Sequence, residues 1–228
     1  MTGATMQADY WHQKWADNKI GFHQERANKR LEHHWPELGL AGDETVFVPL
    51  CGKSLDMLWL HRQGLSVLGV ELSEKAVQSF FSDNALTCEQ HESDGFLVFT
   101  GTAEAQGIQI LVGDYFSLTP DHLHHCKALY DRASLIAMNQ DMRSSYAAHL
   151  GRLLAPGTRG LLLAISYDEG RMEGPPFSVP QENVHELLGE HFDIGELAHY
   201  SGPERLGNLA DRGLETLDER VYVLTRNP

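Results

Sequence analysis

The sequence predicts an α/β protein, a three-layer sandwich with helices on both faces of a mostly parallel sheet. Two observations carry that expectation. Short apolar, β-branched runs alternate along the chain with amphipathic helical stretches. The first such run also breaks at a glycine turn before a helix, the place where open parallel sheets bind ligands. The chain has 228 residues, 42% hydrophobic and 22% charged, with mean hydropathy −0.33. That composition suits one globular domain with a sizeable core, from residue 1 to residue 228, and no disordered or repeat architecture.

The elements follow in order. Tyr10, Trp11, Trp15 and Ile20, then Leu31, Trp35 and Leu38, fall at roughly helical spacing, predicting an arm of two amphipathic helices over residues 1–40. Residues 41–228 form the core. Thr45–Leu50 (TVFVPL) is the first strand, stopped by Cys51-Gly52, with Ser54 as the expected cap of a helix whose inward face carries Leu55, Leu58 and Trp59. Gly64 ends that helix and Ser66–Leu72 is the second strand. Ser73 then caps a helix with Ala76, Val77, Phe80 and Phe81 on one face. Phe96–Thr100 alternates like a hairpin strand, Ile108–Val112 is a parallel-type strand, and Ala128–Tyr130 runs into a loop at Asp131-Arg132-Ala133-Ser134. Met142–Leu154 is helical, Pro156-Gly157 turns into the strand Leu161–Tyr167, Val184–Leu188 is a last helix, and Val221–Thr225 a terminal strand.

Composition excludes several function classes. The formal net charge is −14, and without a Lys/Arg cluster a phosphate backbone has nothing to bind, so no nucleic-acid partner is expected. No uninterrupted apolar run reaches membrane-spanning length, so no membrane partner is expected either. The opening MTGATMQADYWHQKW lacks a basic stretch followed by an apolar core, which predicts a cytoplasmic protein. Cys51, Cys88 and Cys126 are widely spaced and read as reduced, buried thiols. His122, His124, His125 and Cys126 form one short cluster that cannot surround a metal ion, so no metal is expected.

The remaining features point to a nucleoside ligand. In Pro49-Leu50-Cys51-Gly52-Lys53-Ser54 a glycine lets a ligand approach the backbone at a helix N-terminus. The turn is neither GxGxxG nor a Walker loop, because Phe47 stands where the latter needs glycine. Glu71 ends the second strand about 20 residues after Leu50, the separation at which an acid meets a ribose diol. Gly113-Asp114-Tyr115-Phe116, past the Ile108–Val112 strand, falls where an adenine would lie, and Leu153–Gly160 (LLAPGTRG) leads into the next strand. An NAD-dependent oxidoreductase shares the acid but wants the missing GxGxxG; a non-catalytic nucleoside-binding protein would lack an acceptor pocket.

The chain also resembles the thiopurine S-methyltransferase family, its bacterial members most. The resemblance rests on Trp11–Trp15 (WHQKW), Gly21–Gln24 (GFHQ), Pro49–Met57 (PLCGKSLDM), Gly69-Val70-Glu71, Asp131-Arg132-Ala133, Ser166-Tyr167-Asp168 and Gly174–Pro180 (GPPFSVP), in the family's order and spacing. It implies a class I S-adenosylmethionine (SAM)-dependent methyltransferase with a Rossmann-like sheet of seven strands, one antiparallel, and S-adenosylhomocysteine as product. By resemblance, Trp15, Leu50, Glu71, Asp114, Tyr115 and Arg132 contact SAM, while Trp11 and Phe22 on the arm line an acceptor pocket, although such aromatic residues equally serve as core. The acceptor implied is a small aromatic or heterocyclic thiol, or a selenium or tellurium species, and the enzyme a monomer. Arg132 would be catalytic, holding the acceptor as its anion. The family's C-terminal arginine, which helps the acceptor lose its proton, matches Arg205 or Arg212 equally well. Asp168 and Glu169 suit a solvated loop as well as a general base.

Overall fold

The computed structural model describes residues 3–228; residues 1 and 2, which open the expected arm and domain, lie outside the described residues. The chain forms two compact units, one of residues up to His33 with Leu40–Thr119, the other of His34–Gly39 with Pro120–Pro228.

The first unit starts with α1 (Gly3–Ala16) and α2 (Lys29–His34). β1 (Thr45–Val48), α3 (Asp56–Arg62), β2 (Ser66–Glu71), α4 (Glu74–Asp83), β3 (Thr87–Ser93), β4 (Phe96–Thr102) and β5 (Ile108–Val112) follow. Its strands lie in the order β3-β4-β5-β2-β1. β1 and β2 pair in parallel, as do β2 and β5, which sets Glu71 beside Val112; β4 runs antiparallel to β3 and β5. Ser73 caps α4, its side chain accepting from the Ala76 N–H, and Ala76, Val77, Phe80 and Phe81 are all buried. Such a cap is worth about 1 kcal/mol, whereas burying one phenylalanine is worth about 1.5–3. Packing, with Phe81 stacked on Phe99, therefore holds α4 more than its cap does.

The second unit holds α5 (Pro120–Leu123), β6 (Cys126–Arg132), α6 (Ser134–Ala137), α7 (Gln140–Leu153), β7 (Arg159–Ser166), α8 (Gln181–Leu188), β8 (Phe192–Gly202) and β9 (Leu217–Arg226). The strand order is β6-β7-β9-β8, with β6 and β7 parallel and β9 antiparallel between β7 and β8. Tyr146, Ala147, Leu150 and Leu153 of α7 are buried.

The expected α/β class holds, with corrections. The described residues contain nine strands rather than seven, β3 and β8 being the additions, and two strands rather than one, β4 and β9, run antiparallel to both of their neighbours. Ser54 does not cap α3. Its hydroxyl accepts from the Asp56 N–H at 3.2 Å, while Leu55 holds the cap position, and the buried face is Met57, Leu58 and Leu60 rather than Leu55 and Trp59. Cys51 and Cys126 are buried, but Cys88, on the exposed β3, is only half-buried.

Candidate active site

In the first unit the ends of β1 and β2 build a buried, acid-lined turn. Leu50 adopts φ 48° and Gly52 φ 53°. The left-handed region costs a leucine about 1–2 kcal/mol, so the surroundings must impose it. The Cys51 N–H donates to the Val70 carbonyl at 3.0 Å, pinning the turn to β2. The Gly52 N–H donates to Glu71 Oε2 and the Ser73 N–H to Glu71 Oε1, each at 2.8 Å. Glu71 is 7% exposed. Burial pushes its carboxyl above the usual range, and the N–H groups of Ser73, Gly52 and Leu72 pull it partway back. An ionised carboxylate offers about four acceptor positions, so each oxygen keeps capacity for a hydroxyl after taking its N–H.

Neighbouring residues close this turn. A Cβ on residue 52 would stand 3.1 Å from the Trp15 ring, so glycine lets the indole lie directly on the backbone. Trp15 meets Phe22 edge-on at 5.6 Å, and Phe22 meets Trp11 likewise, although Phe22 remains 44% exposed. Lys75 Nζ donates to the Ala16 carbonyl, tying the end of α1 to α4. A Cβ on residue 69 would collide with Cys51 Sγ at 2.7 Å; glycine there seats the thiol, which burial and the Glu71 charge push well up. Lys53 pairs with Asp83 at 2.9 Å, holding the Asp83 carboxyl below its usual range. Past β5, the Asp114 side chain accepts from the Phe116 N–H, and Tyr115 is buried against Phe116. Trp15, Leu50 and Glu71 thus come together around Gly52. The residues present fit a SAM nucleoside, with a buried diol acceptor at a strand end under an aromatic cover.

In the second unit Arg132 ends β6 half-buried, followed by Ala133 at φ 83°. Asp131 is 1% exposed; it accepts from Tyr146 Oη at 2.6 Å and from the Ser134 N–H at 3.3 Å, and burial pushes it up. The Gly174–Ser178 loop is fastened from several sides. Tyr167 Oη donates to the Pro176 carbonyl, while Ser178 Oγ accepts from the Tyr167 N–H and donates to its carbonyl. The Phe177 N–H reaches the Ile136 carbonyl, and the buried Arg143 guanidinium lies 5.9 Å from the Phe177 ring. Arg212 donates to the carbonyls of Pro175 and Glu173 at 2.8 and 2.6 Å. Asp168 and Glu169 are exposed. Sequence reasoning singled out neither the Gly52 and Ser73 N–H groups nor the fasteners Tyr167 and Ser178. The SYD and GPPFS runs were visible, but their mutual contacts were not.

Fold and site together define a SAM-dependent methyltransferase. Solved structures share the architecture. One is 1,6-didemethyltoxoflavin-N1-methyltransferase from Burkholderia thailandensis (TM-score 0.65, 16% identity, 99% of this chain and 88% of that one). Another is a SAM-dependent methyltransferase from Methanosarcina mazei (TM-score 0.61, 14% identity, 89% and 99%). At such identities the likeness is one of fold. The sequence goes further. Proteins named thiopurine S-methyltransferase from Pseudomonas paraeruginosa and Azotobacter vinelandii are 47% and 45% identical over 221 residues, covering 97% of this chain and 100% of each relative. The family model for thiopurine S-methyltransferase matches residues 6–227, and the chain belongs to that family.

Proposed function

We propose that this enzyme transfers the methyl group of SAM to the sulfur of a small aromatic or heterocyclic thiol, acting as a cytoplasmic monomer with the whole chain as one methyltransferase domain. No helix among the described residues is long and apolar enough to cross a membrane. The observation that carries the reading is the buried Glu71 carboxylate, oriented by Gly52 and Ser73 and left able to accept from a ribose diol. Trp15, Leu50, Asp114, Tyr115 and Arg132 complete the SAM contacts by resemblance, and Trp11 and Phe22 line the acceptor pocket.

When bound, SAM supplies an electrophilic methyl group on a sulfonium centre. The chain's own work is alignment, exclusion of water and ionisation of the acceptor. A dry aromatic surround such as Trp11, Trp15 and Phe22 favours a step in which opposite charges neutralise. Arg132, charged at any working pH, holds the acceptor as its thiolate. Of the two C-terminal candidates we assign the supporting role to Arg205, because the Arg212 guanidinium is committed to the Glu173 and Pro175 carbonyls. Incubation with labelled SAM and a thiophenol tests the reading. A labelled thioether and S-adenosylhomocysteine are expected; SAM binding without thioether across a panel of thiol, selenol and tellurol acceptors overturns it.

A further inference from the structure

In the first unit an exposed strap links α1 to α2, and its two ends are fixed very differently. Between Ala16 and Asn28 no residue is buried: Ile20, His23 and Ala27 are half-buried and the rest are exposed. A segment with so little apolar burial is held by its ends and a few side-chain contacts. At one end Lys75 Nζ, on α4, donates to the Ala16 carbonyl at 3.0 Å, an exposed bond that competes with water. At the other the Asn28 N–H donates to Asp56 Oδ1 at 2.7 Å. Asp56 is 1% exposed and Asn28 8%, so this bond to a carboxylate is made away from water and is the costlier one to lose. Asp56 opens α3 directly after the Gly52 turn: its own N–H donates to Ser54 Oγ, and the Ser54 N–H to the Cys51 carbonyl. The buried anchor therefore belongs to the same turn that Glu71 holds. From within the strap Phe22 meets Trp15 edge-on at 5.6 Å, and Trp15 lies on Gly52.

We propose that Asp56 is a positioning residue for SAM binding: it anchors the strap that keeps Phe22 on Trp15 and Trp15 on the Gly52 turn. This rests on the reading above in one respect, that Trp15 contacts SAM. Asp56 itself is enclosed, so it acts on the nucleoside only through the strap. With the anchor cut, the strap is tied at Ala16 alone, by the weaker of its two bonds, and Phe22 no longer backs the indole.

S-adenosylhomocysteine affinity by calorimetry and hydrogen exchange over residues 17–27 test this on the full chain. Asp56→Ala is expected to raise the Kd roughly three- to tenfold and to speed exchange in the strap by a similar factor. In a Trp15→Ala background Asp56→Ala should raise the Kd no further, because the two act through one contact. Lys75→Met, which cuts the exposed end, should move both readouts the same way by less, up to about threefold. A merely structural Asp56 would lower the urea midpoint and leave the Kd of the folded protein unmoved. An unmoved Kd, or a rise as large in the Trp15→Ala background as in the wild type, overturns the inference and leaves the methyl-transfer reading intact. A wild type that binds S-adenosylhomocysteine but methylates no thiol, selenol or tellurol overturns that reading alone, and one that does not bind it overturns both. If Asp56→Ala does not fold, Lys75→Met with and without Trp15→Ala makes the same comparison at the other end of the strap.

Discussion

Glu71 and Asp131 are the same kind of residue in two settings. Each is a buried acid at or next to the carboxyl end of a parallel strand, near a non-glycine residue in the left-handed region, and burial raises both carboxyls. Their partners differ. Glu71 faces backbone N–H groups alone, those of Gly52 and Ser73 at 2.8 Å on separate oxygens, and since these can only donate the position demands two acceptors. Asp131 faces the Ser134 N–H and the Tyr146 hydroxyl, and a hydroxyl can donate or accept. A carboxylate is obligatory at 71 and exchangeable at 131. What separates the two acids is the chemistry of their partners; both are buried, and burial pushes both carboxyls up.

The contrast can be broken at either end. Glu71→Ala should weaken SAM binding by about 1.5–3 kcal/mol, roughly tenfold to over a hundredfold, by calorimetry. Unchanged affinity removes Glu71 from the site. Glu71→Gln should destabilise the ligand-free protein by about 1–3 kcal/mol in urea unfolding, since the amide nitrogen must face one of the two N–H groups. A neutral result there would mean the turn rearranges freely. Tyr146→Phe should cost about 1–1.5 kcal/mol of stability and leave SAM affinity alone. Asp131→Asn should cost less than about 1 kcal/mol, its oxygen accepting from Ser134 and its amide donating to Tyr146.

The pH dependence sharpens the last case. An acid whose carboxyl is raised in the folded state stabilises most fully below its unfolded pKa, about 3.9 for Asp, and that contribution fades as pH climbs through the raised value. Asparagine does not ionise. Urea midpoints should therefore show Asp131→Asn gaining on the parent as pH rises above about 3.9; a constant gap contradicts a carboxylate ionised against its surroundings.

Much of this was legible in the sequence, wherever a local rule and burial agree. β5 occupies the expected Ile108–Val112, Ser73 caps α4 as its position before the apolar stripe implies, and the terminal strand is antiparallel. β3 escaped because TCEQHES is polar and exposed, held by its antiparallel register with β4. The signal that would have found it is Asp94-Gly95, both at positive φ, a favoured hairpin turn. β8 escaped because a bulge at Glu196–Ala198 breaks its alternation and half its residues face solvent. Glu71 was singled out by its spacing from Leu50, and the structure seats it against the Gly52 turn. The N–H groups that hold it, and the bond from Asn28 to Asp56, exist only once the chain has folded.

The seating of Cys51 under Gly69 bears on how such an enzyme survives its own chemistry. A catalyst for sulfur nucleophiles meets thiols and their oxidised dimers at every turnover, and a reactive cysteine beside Glu71 would invite mixed disulfides. Exchange requires an accessible thiolate. Enclosed, and kept protonated by burial and then by the adjacent acid, Cys51 offers neither, so the turn is chemically silent toward such compounds.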